Sequence, residues 1–184
     1  MYIETERTPN PATLKFLPGR AVSEAGGIDF ATPEAAEVSP LATALFGLGD
    51  VEGVFVGRDF VSVTKAEGSA DWTALKPQVL GVLADHFASG APLMIADAPE
   101  EALNDDPADA DIVTQIRELI DTRVRPAVAE DGGDIVYRGF DKGVVYLKMH
   151  GACSGCPSST ATLKNGIENL LKHYVPEVVE VRAI

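Results

Sequence analysis

Apolar positions in the second half of the chain change their period in a regular order. They recur every three or four residues over 112–124 and again over 163–174, and between these stretches they alternate with polar residues. A period near 3.6 is typical of a helix buried on one side, and a period of two is typical of a half-buried strand. The pattern predicts an α-β-β-α-β order for residues 112–184, with strands at 134–140, 144–150 and 177–183.

Proline and glycine residues indicate where these helices should begin and end. Pro126 should kink or end the first helix of the second half, and Gly132-Gly133 should end it. In the first half, Ser39-Pro40 predicts a capped helix start. Pro77 is compatible with a helix over 71–88 only if it lies in the first turn. β-Branched runs predict further strands at 12–17, 51–56 and 60–65, the last two as a hairpin.

An acidic segment separates the two halves. Residues 96–111 contain seven acidic residues, no basic residue and almost no bulky apolar side chain. Such a stretch buries too little surface to offset its ordering entropy, and its like charges repel one another. We therefore predict an α+β protein of two small domains, 1–95 and 112–184, joined by a flexible acidic linker at 96–111.

The overall charge narrows the classes of function. The chain has 28 acidic and 15 basic residues, a formal net charge of −13, which disfavours binding to nucleic acid and to anionic membrane surfaces. No apolar run approaches the roughly 18 residues needed to span a bilayer. The first residues include no basic targeting region. These features predict a soluble, cytoplasmic protein.

The chain contains two cysteines, Cys153 and Cys156, and both lie in one Cys-x-x-Cys between a predicted strand and a predicted helix. Pro157 fits the first helical position, which would make Cys156 the N-cap, and Ser158 as N-cap is the competing register. In either register, free backbone N–H groups and the positive end of the helix dipole stabilise the thiolates. Cys153 and Cys156 are therefore the candidate metal- and cofactor-binding residues.

Two cysteines are too few to complete a metal site within one chain. A closed zinc site or an iron–sulfur cluster usually needs four protein ligands, and this chain offers two thiols. His86 belongs to the other predicted domain, and His173 lies about 25 Å along the helix. His150 ends a strand, where a histidine is more often a surface residue than a ligand. A two-fold dimer in which each subunit supplies its cysteine pair would provide four thiolates around one shared centre.

Several functions are compatible with the cysteine pair. They are incidental packing, thiol–disulfide redox chemistry, a structural zinc shared between subunits, and iron–sulfur cluster binding. The α-β-β-α-β order differs from the thioredoxin arrangement, and no tryptophan directly precedes the motif. The cluster hypothesis fits best, and a thiol–disulfide redox protein is the main alternative.

Longer motifs carry a family resemblance. The second half resembles the NifU-type C-terminal domain of Nfu iron–sulfur carriers through VAEDGGDI at 128–135, VYL at 145–147, GACSGCPSS at 151–159 and TLKNGIE at 162–168. The first half resembles the Nfu N-terminal domain through TPNPATLKF at 8–16 and DWTALKP at 71–77. Together these similarities span most of the chain.

The resemblance implies a function and a set of partners. By this resemblance, Cys153 and Cys156 of two subunits would bind a [4Fe-4S] cluster that bridges the subunits. The protein would then deliver the cluster to apo-proteins such as aconitase and lipoyl synthase. An upstream scaffold would supply the cluster, the loaded form would be a homodimer, and the protein would not be an enzyme. The N-terminal domain would assist recognition of partners.

A second group of residues lies close to the cysteine motif in the predicted fold. Gly132-Gly133-Asp134 could contact the cluster, but we interpret it as a turn that starts a strand.

Overall fold

The computed structural model describes residues 1–24, 27–97, 105–154 and 157–184, with only the backbone described at 157–159. It divides the chain into two units, Met1–Pro99 and Glu100–Ile184. Each unit combines helices with a sheet of its own, which confirms the predicted α+β class. Within the described ranges, no helix is both long and apolar enough to cross a membrane.

The first unit is built on an antiparallel sheet. Its strands are β1 (Glu4–Arg7), β2 (Thr13–Leu17), β3 (Ile28–Phe30), β4 (Val51–Val56) and β5 (Val61–Lys65). They lie side by side in the order β1-β2-β5-β4-β3. Strands β2, β4 and β5 confirm the predicted strands, including the β4–β5 hairpin. The apolar pattern does not predict β1 and β3, because β1 has no apolar residue and β3 has only three residues.

Two helices cover this sheet, α1 (Pro40–Phe46) and α2 (Trp72–Ser89). The Ser39 hydroxyl accepts a hydrogen bond from the Ala42 N–H at 3.3 Å, which confirms the predicted cap of α1. The expectation for Pro77 is wrong, because it lies inside α2 beyond the first turn. Its side chain is exposed, while Leu75 and Val79 on the opposite face are buried in the core. That packing offsets the hydrogen bond that proline cannot donate.

The second unit has the predicted α-β-β-α-β order, with its first helix divided into two. Its helices are α3 (Ala110–Leu119), α4 (Arg125–Glu130) and α5 (Pro157–Tyr174), and its strands are β6 (Gly133–Asp141), β7 (Val144–Gly151) and β8 (Glu180–Ala183). The sheet has the order β6-β7-β8, with β6 antiparallel and β8 parallel to β7. Strand β8 begins three residues later than predicted.

The first predicted helix of this unit is interrupted before Pro126. A π-helical turn at Ile120–Val124 separates α3 from α4, and Pro126 occupies the first turn of α4. Proline cannot donate the backbone hydrogen bond that would continue an α-helix, and a wider π turn accommodates the missing bond. Ile120 and Val124 nevertheless remain buried, so the interruption preserves the apolar face that the sequence predicts.

The acidic segment joins the second unit before its predicted end. Asp105 accepts hydrogen bonds from the Tyr137 hydroxyl at 2.6 Å and from the Phe140 N–H at 3.1 Å. Helix α3 then begins at Ala110 rather than after Asp111. The flexible linker expected over 96–111 therefore does not extend past Asp105, because this carboxylate is held by buried donors on β6. Residues 98–104 lie outside the described residues, and there the linker stays a prediction.

Candidate metal centre

The cysteine-bearing loop connects β7 to α5. Strand β7 ends at Gly151 and helix α5 begins at Pro157, so the predicted strand–loop–helix arrangement is present. The helix start agrees with the register that places Pro157 first. Cys153 lies in the described part of this loop, whereas Cys156 lies outside the described residues.

The side chain of Cys153 is buried. It is 7% exposed and forms part of the apolar core of the second unit, together with Ile135, Met149 and Ile167. The next residue, Ser154, is exposed, so the loop reaches the surface within one residue of the buried thiol. The first cysteine of the motif therefore lies under the surface rather than on it.

The start of β6 provides the space for this thiol. A Cβ atom added to Gly133 would overlap Cys153 Sγ, and it would lie 3.0 Å from the His150 carbonyl oxygen and 3.1 Å from Cys153 Cβ. Real Cβ atoms essentially never lie that close to another heavy atom, so the thiol would have to shift if residue 133 had a side chain. The preceding residue, Gly132, has φ 77° and forms the turn from α4 into β6. The predicted turn is thus present, and its second glycine also contacts the candidate ligand.

Backbone hydrogen bonds hold the loop against this turn. Gly133 lies opposite Gly151 in the β6–β7 register. The Ala152 N–H donates to the Gly132 carbonyl at 3.2 Å, and the Ser154 N–H donates to the Gly151 carbonyl at 3.1 Å. The peptide before Ala152 and the peptide after Cys153 are therefore both held, which restricts where the Cys153 side chain can go.

An ion pair anchors the beginning of β6. The Arg125 guanidinium donates to both Asp134 carboxylate oxygens, Nε to Oδ1 at 2.9 Å and Nη2 to Oδ2 at 2.8 Å. Asp134 Oδ1 also accepts from the Ile135 N–H at 2.8 Å, and Asp121 contributes a second carboxylate to Arg125 at 3.3 Å. The hydrogen bond to Asp134 raises the pKa of Arg125 above its ordinary value, so the guanidinium stays protonated. The network ties α4 to the strand that contacts Cys153.

The three histidines lie in different surroundings. His86 belongs to the first unit, where burial lowers its pKa, and His173 packs edge-to-face on Tyr174. The expectation that His150 is a surface residue is wrong: it is buried inside β7, one residue before the end of the strand and directly opposite Asp134. Among the described residues, no group of three or more His, Cys, Asp or Glu side chains could hold a metal ion.

Sequence reasoning identified the cysteine loop but missed the residues that support it. Asp134 and Arg125 were not singled out as a pair, and Gly133 was assigned to a turn alone. One signal was available, since glycines adjoin both the start of β6 and the end of β7. Two facing glycines allow close approach of the backbone and of a neighbouring side chain.

Fold and site together define a two-unit α+β protein whose second unit carries a cysteine-bearing loop between a β-hairpin and a helix. Two family models match it, "Scaffold protein Nfu/NifU N terminal" over residues 3–90 and "NifU-like domain" over residues 116–182. The whole chain is 50% identical to the human "NFU1 iron-sulfur cluster scaffold homolog, mitochondrial" and covers 72% of that protein. The chain therefore belongs to the Nfu family of iron–sulfur cluster scaffold proteins.

Other relatives agree with this assignment. The Drosophila erecta protein of the same name is 50% identical over the full chain, which covers 65% of it. The Arabidopsis thaliana "NifU-like protein 5, mitochondrial" is 50% identical over 97% of the chain, with 66% of that protein covered. The chain thus spans about two thirds of the length of these two relatives.

The names of the relatives contradict the cytoplasmic prediction. The human, fly and plant proteins are all named as mitochondrial, and none of them is named as cytoplasmic. The prediction rested on the acidic net charge, on the lack of a long apolar run and on the composition of the first few residues. These features describe charge and hydropathy, and by themselves they do not identify a compartment.

Proposed function

We propose that this chain carries an iron–sulfur cluster bound by Cys153 and Cys156, and that a [4Fe-4S] cluster bridges two subunits. The observation that carries this proposal is the position of the chain's only two cysteines in one loop between β7 and α5. Four thiolates are the common ligand set of such a cluster. One chain supplies two, so a two-fold dimer with one pair from each subunit completes the set.

The local electrostatics suit an anionic cargo. Helix α5 has 18 residues and begins directly after the second cysteine, so its unpaired backbone N–H groups lie at the loop. The positive end of the helix dipole stabilises negative charge there. In a two-fold dimer, two such helix ends would offset the charge of the cluster and its four thiolates.

Delivery of the cluster would proceed by exchange of thiol ligands. A cysteine thiol of the acceptor gives its proton to a leaving carrier thiolate and takes that thiolate's place on iron. Repeating the exchange moves the whole cluster without changing the oxidation state of iron or sulfide. No substrate bond is transformed, so this function is that of a carrier and not of an enzyme. The proposed acceptors are apo-proteins of the aconitase and lipoyl synthase type, and the proposed donor is an upstream scaffold.

Cysteine variants test this proposal. We expect Cys153→Ser and Cys156→Ser to abolish cluster binding, because each removes two of the four thiolates from the dimer. Loaded wild-type protein should activate apo-aconitase under anaerobic conditions, and neither variant should do so. The exposed Ser154→Ala variant is the matched control in the same loop, and it should transfer normally. Full cluster content in either cysteine variant would refute the ligand assignment.

A further inference from the structure

The position of the Cys153 thiol differs from the position that a shared cluster requires. A cluster that bridges two subunits lies at their interface, so its ligands must reach the surface of each subunit. Cys153 is instead 7% exposed and packs with the core of the second unit. The thiol must therefore leave this buried position when it binds a bridging cluster.

The buried position exists because residue 133 has no side chain. A Cβ atom at this position would occupy the space of Cys153 Sγ and would also crowd the His150 carbonyl oxygen at 3.0 Å. The backbone cannot easily shift to relieve the overlap. Gly133 is paired with Gly151 across β6 and β7, and the Ala152 N–H is bonded to the Gly132 carbonyl.

We propose that Gly133 is a positioning residue for Cys153, which gives the thiol a sheltered resting position from which it is released to bind the cluster. The role of the thiol as a ligand rests on the function proposed above, whereas its shelter beside Gly133 does not. A thiol held there reacts only when the loop opens locally, because reagents must reach the sulfur. The recess therefore controls how often Cys153 is available.

The alkylation rate of Cys153 in the metal-free full chain tests this inference. Reduced protein is treated with iodoacetamide, and the modified fraction of Cys153 is followed by peptide mass spectrometry. In the wild type, Cys153 should react at least about tenfold more slowly than in the same chain in denaturant, a ratio equivalent to about 1.4 kcal/mol. Gly133→Ala should raise the rate about tenfold, because its methyl group displaces the sulfur. Reaction of the wild type at the denatured rate, or an unchanged rate in Gly133→Ala, would overturn the inference.

A matched glycine variant and a double variant keep the test decisive. A Cβ atom at Gly166 on α5 would meet nothing within 4 Å, so Gly166→Ala should leave the alkylation rate of Cys153 unchanged.

If Gly133→Ala folds poorly, thermal unfolding replaces alkylation as the measurement. Gly133→Ala should then lower Tm less in a Cys153→Ala background than in the wild type, since the overlapping sulfur is absent. Equal losses of Tm in the two backgrounds would contradict the proposed contact.

These results can be separated from a failure of the carrier function. A wild type that shelters Cys153 but takes up no cluster would refute the carrier function alone. A wild type that takes up a cluster but leaves Cys153 unprotected would refute the role of Gly133 alone.

Discussion

Replacement of Arg125 by methionine would break the ion pair that anchors the start of β6. Arg125→Met keeps a long side chain but leaves the Asp134 carboxylate, which is 7% exposed, without its two guanidinium bonds. Removing one partner of a fully buried pair costs about 3–5 kcal/mol. The Arg125 side chain is 34% exposed, and Asp134 keeps its bond from the Ile135 N–H, so we expect a smaller loss of about 2 kcal/mol.

This loss is large enough to measure by thermal unfolding. For a unit of this size, 1 kcal/mol corresponds to about 4–8 °C in Tm, so the transition of the second unit should fall by about 8–16 °C. Circular dichroism or calorimetry of the full chain would show it. Arg182→Met is the matched control, because its pair with Glu180 has side chains that are 53% and 40% exposed. Such exposed ion pairs contribute little to stability, because water screens their charges. Equal Tm losses in the two variants would refute the reasoning.

Two further predictions concern contacts that close the second unit. Tyr137→Phe removes the 2.6 Å hydrogen bond to Asp105 and should lower the free energy of unfolding by about 1–2 kcal/mol in urea; an unchanged midpoint would contradict the role of Asp105 as an anchor. Hydrogen bonds from Lys172 and then from the Val181 N–H lower the pKa of Glu168 below its ordinary value of 4.5. The ionised Glu168 side chain therefore stabilises the fold above pH 4.5, and this stabilisation is lost as the pH falls through the lowered pKa. Glu168→Gln should make Tm less dependent on pH below 4.5, and wild-type and variant Tm curves of the same slope there would argue against it.

Local patterns were sufficient for the elements with a strong apolar period. Helix α5 and the β6–β7 hairpin each bury one face, and that face is visible in the sequence as a repeat of 3.6 or 2. The same reasoning missed β1, whose residues are all polar. It forms because the neighbouring strand β2 supplies hydrogen-bond partners, and such pairing leaves no signal in β1 itself.

The contact between Gly133 and Cys153 depends on the register of two strands. The hairpin turn places Asp141 opposite Val144, and counting back from that pair places Gly133 opposite Ala152. A bulge between Tyr137 and Gly139 shifts the register by one residue and brings Gly133 opposite Gly151 instead. One extra residue in a strand changes which side chains meet. The cysteine loop was therefore predictable from its motif, while its contact with Gly133 required the position of the bulge.

Anaerobic reconstitution shows whether two chains share one cluster through their cysteine pairs. Full-length protein is loaded with iron and sulfide, and iron, sulfide and mass in solution are measured on the same sample. We expect about two irons and two sulfides per chain, a broad brown absorbance and the mass of a dimer. A colourless monomer that forms a reversible Cys153–Cys156 disulfide would contradict it.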